Sequence, residues 1–187
     1  MKKTLLTLTA ITLTACAAPA MAGTIQAEVR LADPRTGRTP DSTEFKVDYT
    51  APLGSLLNYG TELTVKQKEN AGAMNSRVAV RVGPALPEVA GFHSEAFGEV
   101  GRNLAVGSDF NFWGAGIKTS RDVVGPVSVT VGYRHREGFK TVNYLENRFH
   151  GGLGLKLTNA DKATVTYYRY TGSERYDSVG FGITHTF

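Results

Sequence analysis

Apolar residues recur at every second position along most of this chain, the period of a strand with one greasy face rather than the 3.6 of a helix. Ile25, Ala27, Val29 and Leu31 alternate with Gln26, Glu28 and Arg30. Phe45, Val47 and Tyr49 alternate with Glu44, Lys46 and Asp48, and Tyr59, Leu63 and Val65 sit opposite Glu62, Thr64 and Lys66. Val78, Val80 and Val82 interleave with Arg77, Ala79 and Arg81. Farther on, Val127, Val129, Val131 and Tyr133 oppose Ser128, Thr130, Gly132 and Arg134, while Phe149, Leu153, Leu155 and Leu157 oppose His150, Gly152, Gly154 and Lys156. Val179, Phe181, Ile183 and Phe187 close the chain against Ser178, Gly180, Gly182 and Thr184. The aromatic-rich run from Ala163 to Tyr170 reads as a further strand, and two stretches, 90–100 and 108–120, are strand-like without a clean face.

The links between these strands alternate in length. Longer polar ones lie near 33–41, 69–76, 101–109, 137–147 and 171–177; shorter ones lie near 52–56, 83–89, 121–126 and 158–162. Long external loops, short periplasmic turns and an even strand number define an all-β, transmembrane, up-and-down antiparallel β-barrel. The count is ten strands, or eight if the poorly patterned middle pair does not span. A soluble β-sandwich would also alternate, but it shields its edge strands and has no reason to finish on an aromatic residue. Here Phe187 is terminal, with Ile183, Phe181 and Val179 on the same face, the terminal signature that outer-membrane proteins present to the barrel-assembly machinery. His185 departs from the apolar choice on that face. In hydrocarbon every backbone amide must be paired, so strands span only as a closed barrel. Tyr49, Tyr59, Phe110, Phe112, Trp113, Tyr133, Phe149, Tyr167 and Phe187 fall mostly near strand ends, as interfacial girdles require.

The N-terminus fits that compartment. Lys2 and Lys3 precede a mostly apolar stretch from Leu5 to Ala15, and Ala20-Met21-Ala22 offers the small-x-small cleavage pattern. Residues 1–22 are therefore expected to be a signal peptide and 23–187 the barrel domain. Leu13-Thr14-Ala15-Cys16 fits a competing lipobox, in which Cys16 would be kept and acylated. With the first cut the mature chain has no cysteine, which removes disulfides, thiolate metal sites and cysteine nucleophiles. No stretch after residue 22 is a candidate transmembrane helix.

Charge changes the picture inside the barrel rather than outside it. Of 21 basic side chains, Lys2 and Lys3 leave with the signal peptide, so 19 face 17 acidic ones and the mature chain is close to neutral. That is no nucleic-acid footprint. If the apolar faces meet lipid, Arg30, Lys46, Lys66, Arg77, Arg81, Arg134, Arg136 and Lys156 line the lumen with Glu28, Glu44, Asp48, Glu62, Glu95 and Glu99. So much charge needs pairing or water. Either the charges pair across a narrow lumen and plug it, or the pore holds water and its cations attract anions. Gly132, Gly152, Gly154, Gly180 and Gly182 thin the inner wall of the late strands, which favours open volume near Arg134, Arg136 and Lys156.

Three stretches, Gly132-Tyr133-Arg134-His135-Arg136, Gly151-Gly152-Leu153-Gly154-Leu155-Lys156 and Tyr167-Tyr168-Arg169-Tyr170, resemble the oligogalacturonate-specific porins, small monomeric barrels for acidic sugars. Tyr59-Gly60-Thr61-Glu62-Leu63 with Lys66 and Lys68 is similar to that family's third strand. The resemblance implies rows of lumenal basic residues that handle carboxylates, with Arg134, Arg136 and Lys156 as candidates here. Arg77, Arg81, Lys66 and Glu62 complete the expected pore lining. The chain is about one hairpin short of that family, and diameter falls with strand number, so a small solute is expected before an oligosaccharide.

Two other classes compete with a channel. A lipid-modifying barrel enzyme needs a nucleophile and a base within reach, and in Phe92-His93-Ser94-Glu95 the histidine and serine point to opposite faces. His135, His150 and His185 lie on other strands with no partner that spacing supplies, and scattered histidines are no metal site. An adhesive role would rest on external loops such as Glu137 to Asn147, with Phe139, Lys140, Val142, Tyr144 and Leu145. The expectation is thus a non-enzymatic outer-membrane barrel without cofactor or metal, a narrow channel with anion bias for small solutes, or else a closed structural or adhesive barrel. Its partners would be outer-membrane lipid, lipopolysaccharide, the barrel-assembly machinery and small anionic solutes, and it would be a monomer.

Overall fold

A computed structural model describes residues 22–33, 42–68, 74–105, 109–139 and 142–187. The signal peptide and Cys16 readings lie outside the described residues. Ten strands follow in chain order: β1 (Thr24–Asp33), β2 (Ser42–Leu53), β3 (Leu57–Lys68), β4 (Met74–Pro84), β5 (Phe92–Leu104), β6 (Phe110–Val124), β7 (Val127–Gly138), β8 (Leu145–Lys156), β9 (Asp161–Gly172) and β10 (Tyr176–Thr186). Each pairs antiparallel with its sequence neighbours, and β10 returns to β1 to close the barrel. The closing register sets Ala27 opposite Ile183 and Val29 opposite Phe181. At the seam's end the Phe187 amide donates to the Gly23 carbonyl at 2.9 Å.

Alternation places the two faces as the sequence demands, but with polarity opposite to that of a soluble protein. Ile183 is 58% exposed and Leu153 60%, whereas Glu28, Arg30, Glu62 and Arg136 are buried. A belt of exposed Val, Leu, Ile and Phe around a charged interior is stable only where lipid surrounds it.

The β2–β3, β4–β5, β6–β7 and β8–β9 connections lie at one end with both ends of the barrel wall, and the other five lie at the opposite end; the expected lengths fail at two of them, since β4–β5 spans 85–91 and β9–β10 only 173–175. In barrels of this class the short turns face the periplasm; the two ends are called the turn end and the loop end below. The turn between β4 and β5 folds back through a Val89–Phe92 bridge. Its two central residues, Ala90 (φ 52°) and Gly91 (φ 78°), are both left-handed, as the right-handed strand twist requires of a two-residue turn.

The middle pair spans, so the barrel has ten strands and not eight. Its pattern is blurred because β5 and β6 put aromatic rings inside. Phe97 lies directly opposite Gly116 and Phe112 directly opposite Gly101, and each ring fills the space a glycine side chain leaves empty. Phe112 is accordingly not part of a lipid-facing girdle; it is fully buried in the lumen. An outward cluster does form elsewhere: the Tyr133 and Phe149 rings lie 4.7 Å apart and Trp113 lies 5.5 Å from His135. Tyr133 donates to Asn147 Oδ1 at 2.7 Å, which satisfies its hydroxyl on the barrel exterior.

Candidate functional site in the barrel lumen

The loop-end half of the lumen is filled by ion pairs that cross it. Arg136 on β7 is fully buried. Its Nε donates to Glu99 Oε1 at 2.6 Å and its Nη2 to Glu99 Oε2 at 2.8 Å, a two-pronged grip on β5. Nη2 also reaches Glu62 Oε1 on β3 at 2.9 Å. One turn of the alternation away, Arg134 donates to Glu62 Oε2 at 2.8 Å and to Glu146 Oε1 at 3.2 Å. Glu146 is shared with Arg77 of β4 at 3.2 Å. Planar guanidinium groups suit this role because one side chain can engage two carboxylates in fixed directions. Five strands, β3, β4, β5, β7 and β8, are thereby tied through the centre.

A second cluster closes the β1–β2–β9–β10 side. Arg30 donates to Glu28 at 2.8 Å and to Glu44 at 2.6 Å, and the Tyr168 hydroxyl donates to the other Glu28 oxygen at 2.6 Å. Above it Tyr170 and Tyr176 stack with ring centres 4.2 Å apart, and the Lys66 ammonium sits 4.5 Å from the Tyr176 ring. Between the clusters Lys46 pairs with Asp48 and with Glu62 at 3.4 Å, and Arg81 meets Asp48 at 3.2 Å. The buried cations of these clusters are tolerated because each of them has an acid within reach. Tyr144, in the connection before β8, covers the mouth: it packs 4.8 Å from Phe110 and donates to Glu146 Oε2 at 2.9 Å. Burial and the adjacent Glu146 carboxylate raise its phenol above the ordinary tyrosine value, so it remains a donor.

The turn-end half differs. A cavity of about 270 Å³ opens there, lined by hydroxyls such as Thr130, Thr164, Thr166 and Thr184, by Gly152 and Gly154, and by Arg148, His150, Lys118 and Lys162. Lys118 pairs with Glu95 at 2.8 Å.

All seven residues expected to line a pore have inward parity, and six of them lie within the lumen: Arg134, Arg136, Arg77, Arg81, Lys66 and Glu62. They are brought together, mostly by ion pairs rather than around a channel. Lys66 contributes a 3.5 Å pair with Glu174. Lys156 stands apart, exposed at the turn-end rim opposite Lys162 in the β8–β9 register. The open volume lies beside Gly152 and Gly154, but Arg136 is sealed. Glu146, Arg148 and Lys162 were missed as lining residues, although Glu146 and Arg148 share the inward parity of His150 and Lys156. Phe187, Ile183, Phe181 and Val179 all face outward, exposed toward lipid. His185 joins them, bonded to Asp161 Oδ1 at 2.8 Å and edge-on to the Phe187 ring at 4.7 Å.

No protein-family model matches the chain, and no curated protein matches it by sequence. Solved structures do match it in shape. A KdgM porin superposes with a TM-score of 0.51 at 9% identity, over 88% of this chain and 99% of that one. The β-domain of the Bordetella autotransporter BrkA gives 0.53 at 10% identity, over 90% and 100%. The fold is that of an outer-membrane β-barrel. A bacterial polysaccharide outer-membrane secretin matches with 0.51 at 8% identity, over 89% of this chain and 65% of its own. At such identities the likeness is one of architecture. Together with the apolar exterior it puts this barrel in the outer membrane.

Proposed function

We propose that this chain is an integral outer-membrane barrel held closed at its loop end, its lumenal charges joining strands across the centre instead of guiding ions through. The observation that carries this reading is the cross-lumen network in which Glu62 of β3 binds both Arg134 and Arg136 of β7. Three cations there, Arg77, Arg134 and Arg136, face three acids, Glu62, Glu99 and Glu146, so the local field that would select anions is cancelled. The barrel then acts through its wall and external loops, as a monomer surrounded by lipid and lipopolysaccharide, with the outward Val179, Phe181, Ile183 and Phe187 face read by the assembly machinery.

No catalysis is assigned. Ser94 Oγ bonds Thr119 Oγ1 at 3.0 Å, and His93 sits 3.4 Å from Glu88, so the pair with nucleophilic chemistry is split between partners. A second reading, narrow passage of small anions, is favoured by the basic lining of the turn-end cavity and needs the belt to open.

Planar-bilayer recording separates the two. Wild-type protein is expected to insert without steady conductance. Replacing both Arg134 and Arg136 with serine should produce stepwise conductance that prefers cations, because Glu62, Glu99 and Glu146 remain. Steady anion-selective conductance in the wild type would overturn the closed reading.

A further inference from the structure

Charge matching is incomplete at the turn-end cavity: its lining includes Asp48 and Glu95, but both are already paired, with Lys46, Arg81 and Lys118. Arg148 is only 6% exposed, yet its Nε and Nη1 have no hydrogen-bond partner and no carboxylate pairs with it among the described residues. It lies 5.3 Å from the Tyr168 ring and feels Glu62 and Glu146 only from beyond ion-pair distance. His150 Nδ1 and Thr164 Oγ1 are also buried without partners. All three residues line the same cavity. Lys162 lines it too, lying across Gly154, and makes no ion pair among the described residues. Arg77, Arg81, Arg134 and Arg136 also leave one nitrogen unbonded, but each holds a carboxylate through another; buried polar groups with no such partner are costly. When several of them surround one cavity and two carry positive charge, the missing partner is an acceptor with negative charge.

We infer that this cavity is a binding site for a small oxyanion, a carboxylate or phosphate compound, admitted from the turn end. The Arg148 guanidinium supplies the charged donors, Lys162 a second positive charge, and Thr164 and His150 the flanking hydrogen bonds. A planar guanidinium engages carboxylate or phosphate with directed bonds. The cavity lies below the roughly 300 Å³ at which drug-sized pockets begin, so the ligand is small and an oligomer is excluded. Lys118, two strands from His150 across Gly132, is already held by Glu95 at 2.8 Å and is not part of the site. Binding does not require passage through the barrel, so this site stands whether or not the loop end opens.

Isothermal titration of the full folded barrel in detergent tests the site, with sodium phosphate and sodium citrate as separate arms. A single saturable site is expected for at least one of them at up to millimolar concentration. Arg148→Gln should weaken it about tenfold or more, the scale of lost hydrogen bonds to a charged group. Lys162→Gln should weaken it less, and Arg169→Gln, on the outer face, should leave it unchanged. Heat-modifiable migration on gels reports folding of each variant; if Arg148→Gln does not fold, Lys162→Gln decides alone. No saturable binding of either probe, or wild-type affinity in every folded variant of Arg148 and Lys162, would overturn the assignment.

Discussion

The two halves of the lumen are built on the same ten strands and the same alternation, yet they solve the problem of buried polarity differently. Toward the loop end long charged side chains meet from opposite walls, as where Glu62 and Arg136 join strands 74 positions apart in sequence. Toward the turn end the inward positions are mostly threonine, serine and glycine, too short to meet, and a cavity remains. Barrel diameter is fixed by strand number and stagger, so side-chain length alone decides which half closes. Arg148 sits at the border, with the charge of the first half and the emptiness of the second.

Substitutions should separate the halves by magnitude. Arg136→Met leaves Glu99 buried without its two-pronged partner, and Glu62 with only Arg134 and Lys46; it should cost about 3–5 kcal/mol, read from urea unfolding of the barrel in vesicles. Adding Glu99→Gln to it should return part of that loss; no recovery would mean the pair does not act as a unit. Next comes Gly180→Ala, whose new methyl runs into the Glu28 carboxylate; displacing the Arg30 cluster should cost about 1–3 kcal/mol in the same assay. The smallest effect belongs to the turn end. Thr164→Val removes a hydroxyl that has no partner, and stability should stay within about 0.5 kcal/mol of the wild type. A loss as large as that of Arg136→Met would erase the distinction between the halves.

Much of this was legible from residue order. A period of two fixes which side chains share a face, so Glu28, Glu62, Arg81 and Arg134 could be assigned inward without coordinates. β5 and β6 resisted because Phe97 and Phe112 break the rule that aromatics face lipid, and the glycines that receive them sit on neighbouring strands. Partner choice was not legible at all. Whether Arg136 meets Glu99 or open water depends on stagger around the barrel and on how far each side chain reaches, and neither is written in any local pattern. Glu146 and Arg148 fell at the edge of an expected loop, where strand ends are hardest to place, although their parity with His150 was available.

The central claim is that the lumen is sealed from the loop end and open from the turn end. Thr130→Cys in a Cys16→Ser background places one thiol on the cavity wall, and a membrane-impermeant maleimide can then be applied from each side of oriented proteoliposomes. Modification from the turn side alone is the expected result. Equal modification from the loop side would mean the belt of ion pairs is no barrier, and the account of a closed barrel would fail.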